Sequence, residues 1–95
     1  MTFSAKIILH SISGYRPELN ILVEQFIKEG VKFVGVVGED CAKIENVIDE
    51  LCVGNGANPY FMLTSSHAEE SLQEAIEFGR VLAGEYGGEV EVVEF

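Results

Sequence analysis

The chain has 95 residues, 47 % of them hydrophobic and 23 % charged, which is typical of one globular domain and not of a disordered segment. Sixteen Asp and Glu residues outnumber six Lys and Arg residues, so the formal net charge is −10. Duplex nucleic acid and anionic membranes both need a basic protein surface, and neither is expected as a partner. We treat residues 1–95 as a single domain.

No apolar run reaches the roughly 20 residues that span a bilayer. The N-terminal residues lack the basic and apolar segments of a signal peptide. On a single helix the backbones of Cys41 and Cys52 would lie about 16 Å apart, which is too far for a disulfide. Free thiols without a signal peptide predict a location in the reducing cytoplasm.

Four segments have the patterns of β-strands. The first two are nearly continuous apolar runs, as expected for strands covered on both faces. The third is shorter but similar, and the fourth begins with the acidic–apolar alternation of a half-exposed edge strand. In chain order the four segments are residues 5–12, 31–37, 60–64 and 89–95.

Three segments between the strands carry apolar stripes at helical spacing. The first runs from Pro17 to Gly30, two residues that suit the start of a helix and the position after its end. The second follows Asp40, which we expect to be its N-cap, and it ends before Gly54.

The third helix has two candidate starts with the spacing of a capping box, namely Ser66 with Glu69 and Ser71 with Glu74. We favour the later start, which leaves the residues between the third strand and Ser71 in a loop. The end of this helix is placed at about Tyr86.

Strands that alternate with helices in the order βαβαβαβ predict an α/β fold with a mainly parallel sheet and right-handed crossovers. We expect a small three-layer sandwich of the flavodoxin-like or Rossmann-like kind, with the strand order 2-1-3-4. The second strand, however, is very apolar for an edge strand. Either the order differs or that edge is covered, for example by a second copy of the chain in a homodimer.

Ligands of open parallel sheets bind beyond the carboxyl ends of the strands. Three loops lie there, and in the order 2-1-3 they are neighbours, with His10 close by. We call six residues of these loops the predicted binding rim. They are Ser13 after the first strand, Asp40 and Cys41 after the second, and Thr64, Ser66 and His67 after the third.

Cys41 has two interpretations. At the start of a helix the dipole favours the reactive thiolate, whereas Glu39 and Asp40 disfavour it. Cys41 also continues the apolar stripe of Ile44 and Ile48, as a small core residue would.

His67 is a candidate general base, provided that a nucleophile lies within hydrogen-bond reach. Ser65 and Ser66 are too close in sequence to be obvious partners. The structural alternative for His67 is a loop histidine that hydrogen-bonds to a backbone carbonyl. His10 is expected to lie at the edge of the core with its hydrogen-bonding groups satisfied. The candidate nucleophiles for His67 are therefore Ser11, Ser13 and Cys41.

No metal or cofactor is predicted. A zinc site drawn from Cys41, His67, His10 and an acidic residue lacks the CxxC or HxxxH spacing that such sites usually show. Gly14 stands alone after the first strand, without a GxGxxG pattern or a P-loop lysine.

Residues 30–79 resemble a bacterial domain-of-unknown-function family of small α/β proteins. In that family an apolar strand ends in Gly-x-Asp-Cys, and a later strand runs into Thr-Thr-x-His followed by acidic residues. The chain departs from the pattern at Ser65, Ser66 and Ser71, where the family has Thr, an aromatic residue and Pro. The resemblance implies no activity, but it draws attention to the predicted binding rim. The matched positions are Gly38, Asp40, Cys41, Thr64, His67, Glu69, Glu70 and Leu72.

The acidity is concentrated in the second part of the chain. Residues 1–38 hold four bases and three acids, for a net charge of +1, whereas residues 39–95 hold two bases and thirteen acids, for −11. These acids are either solvated outer faces or a surface for a positively charged partner. The acidic face expected to steer such a partner consists of Glu70, Glu74 and Glu77.

We therefore expect a binding or regulatory module without catalysis of its own, of the inhibitor or immunity type, directed against a basic protein. The alternative function is a small enzyme that uses Cys41 as nucleophile and His67 as base.

Overall fold

Strands and helices alternate along the chain as the sequence predicts. The computed structural model describes residues 3–54, 56–57, 59–81 and 89–95. The predicted end of the third helix, at Tyr86, lies outside these residues. The elements are β1 (Lys6–Ser11), α1 (Leu19–Lys28), β2 (Phe33–Gly38), α2 (Cys41–Val53), β3 (Leu63–Ser66), α3 (Leu72–Val81) and β4 (Val90–Glu94).

The four strands form one parallel sheet, which confirms the α/β class, but their order is β3-β2-β1-β4. The predicted order 2-1-3-4 is therefore wrong. β2 pairs with a strand on each side, and its residues 33–37 are all buried. An interior position explains its apolar sequence without a second copy of the chain. β4 lies at an edge, as its alternating sequence predicts.

Helices cover both faces of the sheet. α1 and α2 pack over the face that carries Ile7 and Val34, which we call face A. α3 packs over the opposite face, which carries Ile8 and Phe33 and which we call face B. Burial of each such apolar side chain stabilises the fold by about 1.5–3 kcal/mol.

α3 begins where the later of the two candidate starts predicts. The Ser71 N–H donates to Glu74 Oε1 at 2.8 Å, and the Glu74 N–H donates to Ser71 Oγ at 3.1 Å. This reciprocal pair satisfies two backbone donors that the first turn of a helix leaves free. Ser66 instead ends β3.

α3 is also tied to the sheet near its C-terminal end. Lys6 of β1 is only 1 % exposed, and its Nζ donates to the Gly79 carbonyl oxygen at 2.7 Å. A cation at this end of a helix interacts favourably with the helix dipole. Within the described ranges, every helix is too short or too polar to cross a membrane.

Candidate functional site

The loops after β1 and β2 pack closely against each other at the carboxyl edge of the sheet. Gly38 has φ 105°, and a Cβ there would clash with the Ser11 carbonyl oxygen. Glycine alone adopts this conformation and permits this approach without strain. The Glu39 N–H then donates to the same carbonyl at 3.1 Å.

Asp40 joins these two loops and does not cap α2 through its side chain. Its carboxylate accepts a hydrogen bond from the Tyr15 N–H at 3.0 Å and makes none with the first turn of the helix. Asp40 has a left-handed backbone with φ 57°. Asp40 is the N-cap residue of α2, as predicted, but its carboxylate bonds to the neighbouring loop and not to the first turn of the helix.

Cys41 is a core residue of face A. It is the first residue of α2, is 5 % exposed and packs with Ile44 and Ile48. Cys52 is buried at the other end of the same helix, and both thiols are free. His67 lies on the opposite face, and in the part of the chain that the structure describes no hydrogen bond joins it to Cys41. The predicted nucleophile–base pair of these two residues is therefore not formed.

His67 is held by a side chain at each ring nitrogen. Ser65 Oγ lies 2.8 Å from Nε2, and Glu70 Oε1 lies 3.2 Å from Nδ1. The residue is 4 % exposed, and its ring packs edge-on against Phe78 at 5.0 Å between centroids. The sequence suggested, as an alternative to a general base, that His67 bonds to a backbone carbonyl. In the structure the ring bonds to the side chains of Ser65 and Glu70.

The expectation that Ser65 is too close in sequence to partner His67 is wrong. Residues i and i+2 of an extended segment point to the same side, so both side chains lie on face B. Ser65 was set aside as a partner because it is close to His67 in sequence. A spacing of two residues in an extended segment in fact indicates side chains on the same face.

The hydrogen bonds determine the proton positions on the neutral ring. An ionised carboxylate only accepts, so Nδ1 carries the proton and donates it to Glu70. Nε2 is then an acceptor, and the Ser65 hydroxyl donates to it. The order hydroxyl, imidazole, carboxylate is the one that activates serine in nucleophilic catalysis.

Thr64 faces two carboxylates on face A. Its Oγ1 lies 2.7 Å from Asp49 Oδ1 and 3.0 Å from Glu45 Oε2. A hydroxyl has one proton and donates to one of these acceptors at a time. Glu45 and Asp49 are one turn apart on α2, and sequence reasoning missed them even though that spacing places them on one helix face.

The predicted binding rim is a line of loops and not one cluster. Ser13 is exposed after β1, whereas Thr64 and Ser66 are half-buried at the far edge of the sheet. β2 and its loop lie between them. His10, half-buried on β1, is likewise separated from His67 by β2.

Each residue of the predicted acidic face is exposed and also holds a local bond. Glu70 bonds to His67, and Glu74 completes the capping box of α3. Glu77 accepts a hydrogen bond from Arg80 at 2.7 Å, which offsets part of its charge.

Apolar side chains are exposed in and around β3. On face B, Leu63 is 38 % exposed and Phe78 of α3 is 42 % exposed. Phe61, just before β3, is 86 % exposed. Isolated exposed apolar residues are ordinary, but neighbouring ones that flank polar groups mark interaction sites.

A separate open groove of about 480 Å³ lies between α1 and β4. Its apolar walls include Ile21, Leu22 and Val93, and the Arg16 guanidinium at its end sits 4.3 Å from the centroid of the Phe95 ring. Sequence reasoning did not find this groove, because it depends on the placement of β4 beside β1. Among the residues described here, no group of three or more His, Cys, Asp and Glu side chains is arranged to hold a metal ion.

Comparison with known proteins identifies a family for this chain. No curated protein and no solved structure is detectably similar to the chain. The family model described as Domain of unknown function (DUF7684) matches residues 7–93, which span all seven elements apart from the terminal residues of β1 and β4. The resemblance seen in residues 30–79 is thus confirmed at the level of a domain-of-unknown-function family, and the chain belongs to the DUF7684 family.

Proposed function

We propose that this protein is a binding module that holds an extended basic segment of a partner protein along the outer edge of β3. The proposal rests on the different side chains that lie on the two faces of the sheet at this edge. Carboxylates flank it on face A, and exposed apolar side chains flank it on face B.

The backbone of β3 is suited to accept another strand. The N–H groups of Leu63 and His67 point inward and donate to the Lys32 and Val36 carbonyl oxygens at 2.9 and 2.8 Å. Alternation along the strand turns the backbone groups of Thr64 and Ser66 outward. Such an edge can bind an extended segment through main-chain hydrogen bonds.

The side chains around this edge specify the sequence of the segment. On face A, the strand added beside β3 meets Glu45 and Asp49, next to Thr64. On face B, it meets Leu63 and Phe78. Because side chains of a strand alternate between faces, the matching segment alternates basic and apolar residues.

The charge balance favours a basic occupant. Thr64 supplies one hydroxyl proton to two carboxylates, so a Lys or Arg head group supplies the missing donors in a charge-assisted bond. The net charge of −11 over residues 39–95 also steers a positively charged partner towards the domain.

The same charges disfavour a second copy of this chain at the edge. Two β3 strands related by a two-fold axis perpendicular to the sheet would bring both pairs of Glu45 and Asp49 to one face. Like charges opposed across neighbouring strands are destabilising. A cytoplasmic inhibitor or immunity-type role, in which the domain covers basic residues of its partner, fits this surface.

The proposal is tested by calorimetric titration with three capped eight-residue peptides. One alternates Lys and Val, the second has the same composition in two blocks, and the third alternates Glu and Val. We expect the first peptide to bind at least about tenfold more tightly than the others, which corresponds to about 1.4 kcal/mol. Its affinity should fall as salt is added, because salt screens the charges.

A charge-neutralising variant and a matched control locate the site. Glu45→Gln combined with Asp49→Asn should weaken binding of the Lys–Val peptide by about tenfold or more. Glu24→Gln, which removes an exposed carboxylate of α1, should leave the affinity unchanged. Equal affinity for all three peptides, or full affinity in the double variant, contradicts the proposal.

A further inference from the structure

The hydroxyl of Ser65 is a group that the docking of a basic segment does not use. Its Oγ lies 2.8 Å from His67 Nε2, within the range required for proton transfer to a general base. Ser65 is half-buried, whereas the imidazole that accepts its proton is almost completely buried. The serine is thus partly accessible, and its base is shielded.

The imidazole is held in one orientation from three directions. Glu70 accepts the Nδ1 proton at 3.2 Å, Phe78 packs against the ring, and the His67 backbone N–H donates to Val36 at 2.8 Å. A fixed ring with Nδ1 protonated directs the Nε2 lone pair at the Ser65 hydroxyl. Such preorganisation is what a serine nucleophile requires.

The serine is positioned by close packing on face B. Gly35 of β2 lies beside it, and a Cβ at Gly35 would come within 3.2 Å of Ser65 Oγ. A Cβ at this position would therefore crowd Ser65 Oγ together with the side chains of Phe33 and Ile8.

A backbone donor lies next to this nucleophile. The N–H of Ser66 points out of the edge of β3, away from β2, and it follows the nucleophile directly in sequence. An N–H in this place can stabilise the negative charge that develops on an attacked carbonyl oxygen. Leu63 and Phe78, both partly exposed beside Ser65, provide apolar contact for an acyl group.

We propose that Ser65 is the nucleophile of an acyl-transfer site and that the protein hydrolyses small esters with an apolar acyl group. His67 is the general base, and Glu70 is a positioning residue that acts through His67. This activity does not require a docked segment, although the Ser66 N–H, Leu63 and Phe78 also belong to the proposed docking edge.

The reaction balances without a further reactant except water. Ser65 Oγ bonds to the acyl carbon as its proton passes to His67 Nε2, and the ester C–O bond breaks as the departing alkoxide takes that proton. A water molecule then gives a proton to Nε2 while its hydroxide bonds to the acyl carbon, the bond between Ser65 Oγ and the acyl carbon breaks, and Oγ takes the proton back from Nε2. The products are an alcohol and a carboxylic acid.

The test is labelling of the full chain with a fluorophosphonate, which reacts with activated serines by forming an O–P bond and releasing fluoride. Intact mass should show one added group, and peptide mapping should place it on Ser65. Ser65→Ala should abolish labelling, whereas Ser4→Ala, a serine ahead of β1 and outside the proposed site, should label at the wild-type rate. Peptide binding by Ser65→Ala should be unchanged, which separates this site from the docking function.

Two variants test the roles of the other residues. His67→Gln should label about 100-fold more slowly or worse, the loss expected for a general base. Glu70→Gln should label about tenfold more slowly, and nitrogen NMR should show the neutral His67 ring as a mixture of the Nδ1–H and Nε2–H forms. A merely structural Glu70 would leave the ring in the Nδ1–H form.

Labelling of the wild-type protein tests the proposal even where a variant does not fold. Its label should map to Ser65 alone. Absence of label on Ser65, or full labelling of folded His67→Gln, overturns the proposal.

Discussion

Ser65 Oγ and His67 Nε2 lie 2.8 Å apart, although the two residues are separated by a single position in the chain. The extended backbone at the end of β3 brings them to the same face. This relationship places the reactive groups at the edge of the sheet and away from Cys41, which is buried in the core of face A. It also places them beside the surface that we propose as the docking edge.

The proton of the neutral His67 ring should reside on Nδ1, because Glu70 can only accept a hydrogen bond while it is ionised. Long-range nitrogen–proton NMR spectra near pH 8 report this directly. We expect the Nδ1–H form in the wild type and a mixture of the two forms in Glu70→Gln. A ring protonated on Nε2 in the wild type would show that Ser65 is not its donor.

Gly38→Ala should destabilise the fold by about 2 kcal/mol or more, because the new Cβ would meet the Ser11 carbonyl oxygen in addition to the cost of a positive φ. Gly56→Ala is the matched control, since Gly56 has φ 84° with nothing within 4 Å of the added Cβ. Urea unfolding of both variants separates the clash from the backbone cost. An equal loss of unfolding free energy in the two variants contradicts the close approach of the loops.

Ser71→Ala should lower the free energy of unfolding by about 1 kcal/mol, because it removes the acceptor of the Glu74 N–H at the start of α3. Ser13→Ala, at an exposed loop position, is the control and should change stability little. Thermal or urea unfolding measures both. If Ser71→Ala is as stable as Ser13→Ala, the capping box does not contribute as described.

Both cysteines should resist alkylation in the folded protein. Burial raises the pKa of the Cys52 thiol, and the nearby Asp49 carboxylate raises it further, so less thiolate is present at a given pH. The Cys52 alkylation rate should therefore still be rising above about pH 8.5, where a free thiol is half ionised. Asp49→Asn should speed the reaction, and a rate that levels off below that pH contradicts this environment.

Local sequence signals predicted the helix boundaries well. Ser71 and Glu74 identified the start of α3, and Gly30, with φ 78°, lies just after α1 as its type predicts. These signals succeed because the bonds concerned join residues three or four apart. Asp40 shows the limit of such reasoning, because its carboxylate bonds to Tyr15, which is distant in sequence.

The strand order could not be predicted because it depends on pairings between distant segments. The apolar run of β2 correctly indicated an interior strand, and the preferred order 2-1-3-4 contradicted that signal. β3, with Thr64, Ser65 and Ser66, is polar enough to lie at an edge. The side-chain pair of Ser65 and His67, by contrast, was within reach of the sequence, since positions i and i+2 of a strand share a face.

The most direct test of the docking proposal is an NMR titration of the nitrogen-15-labelled protein with the alternating Lys–Val peptide. We expect the largest chemical-shift changes at the backbone amides of Thr64 and Ser66, whose N–H groups point out of the sheet. The largest shifts at Ile21 and Val93, in the groove between α1 and β4, would instead contradict the assignment of the β3 edge as the binding surface.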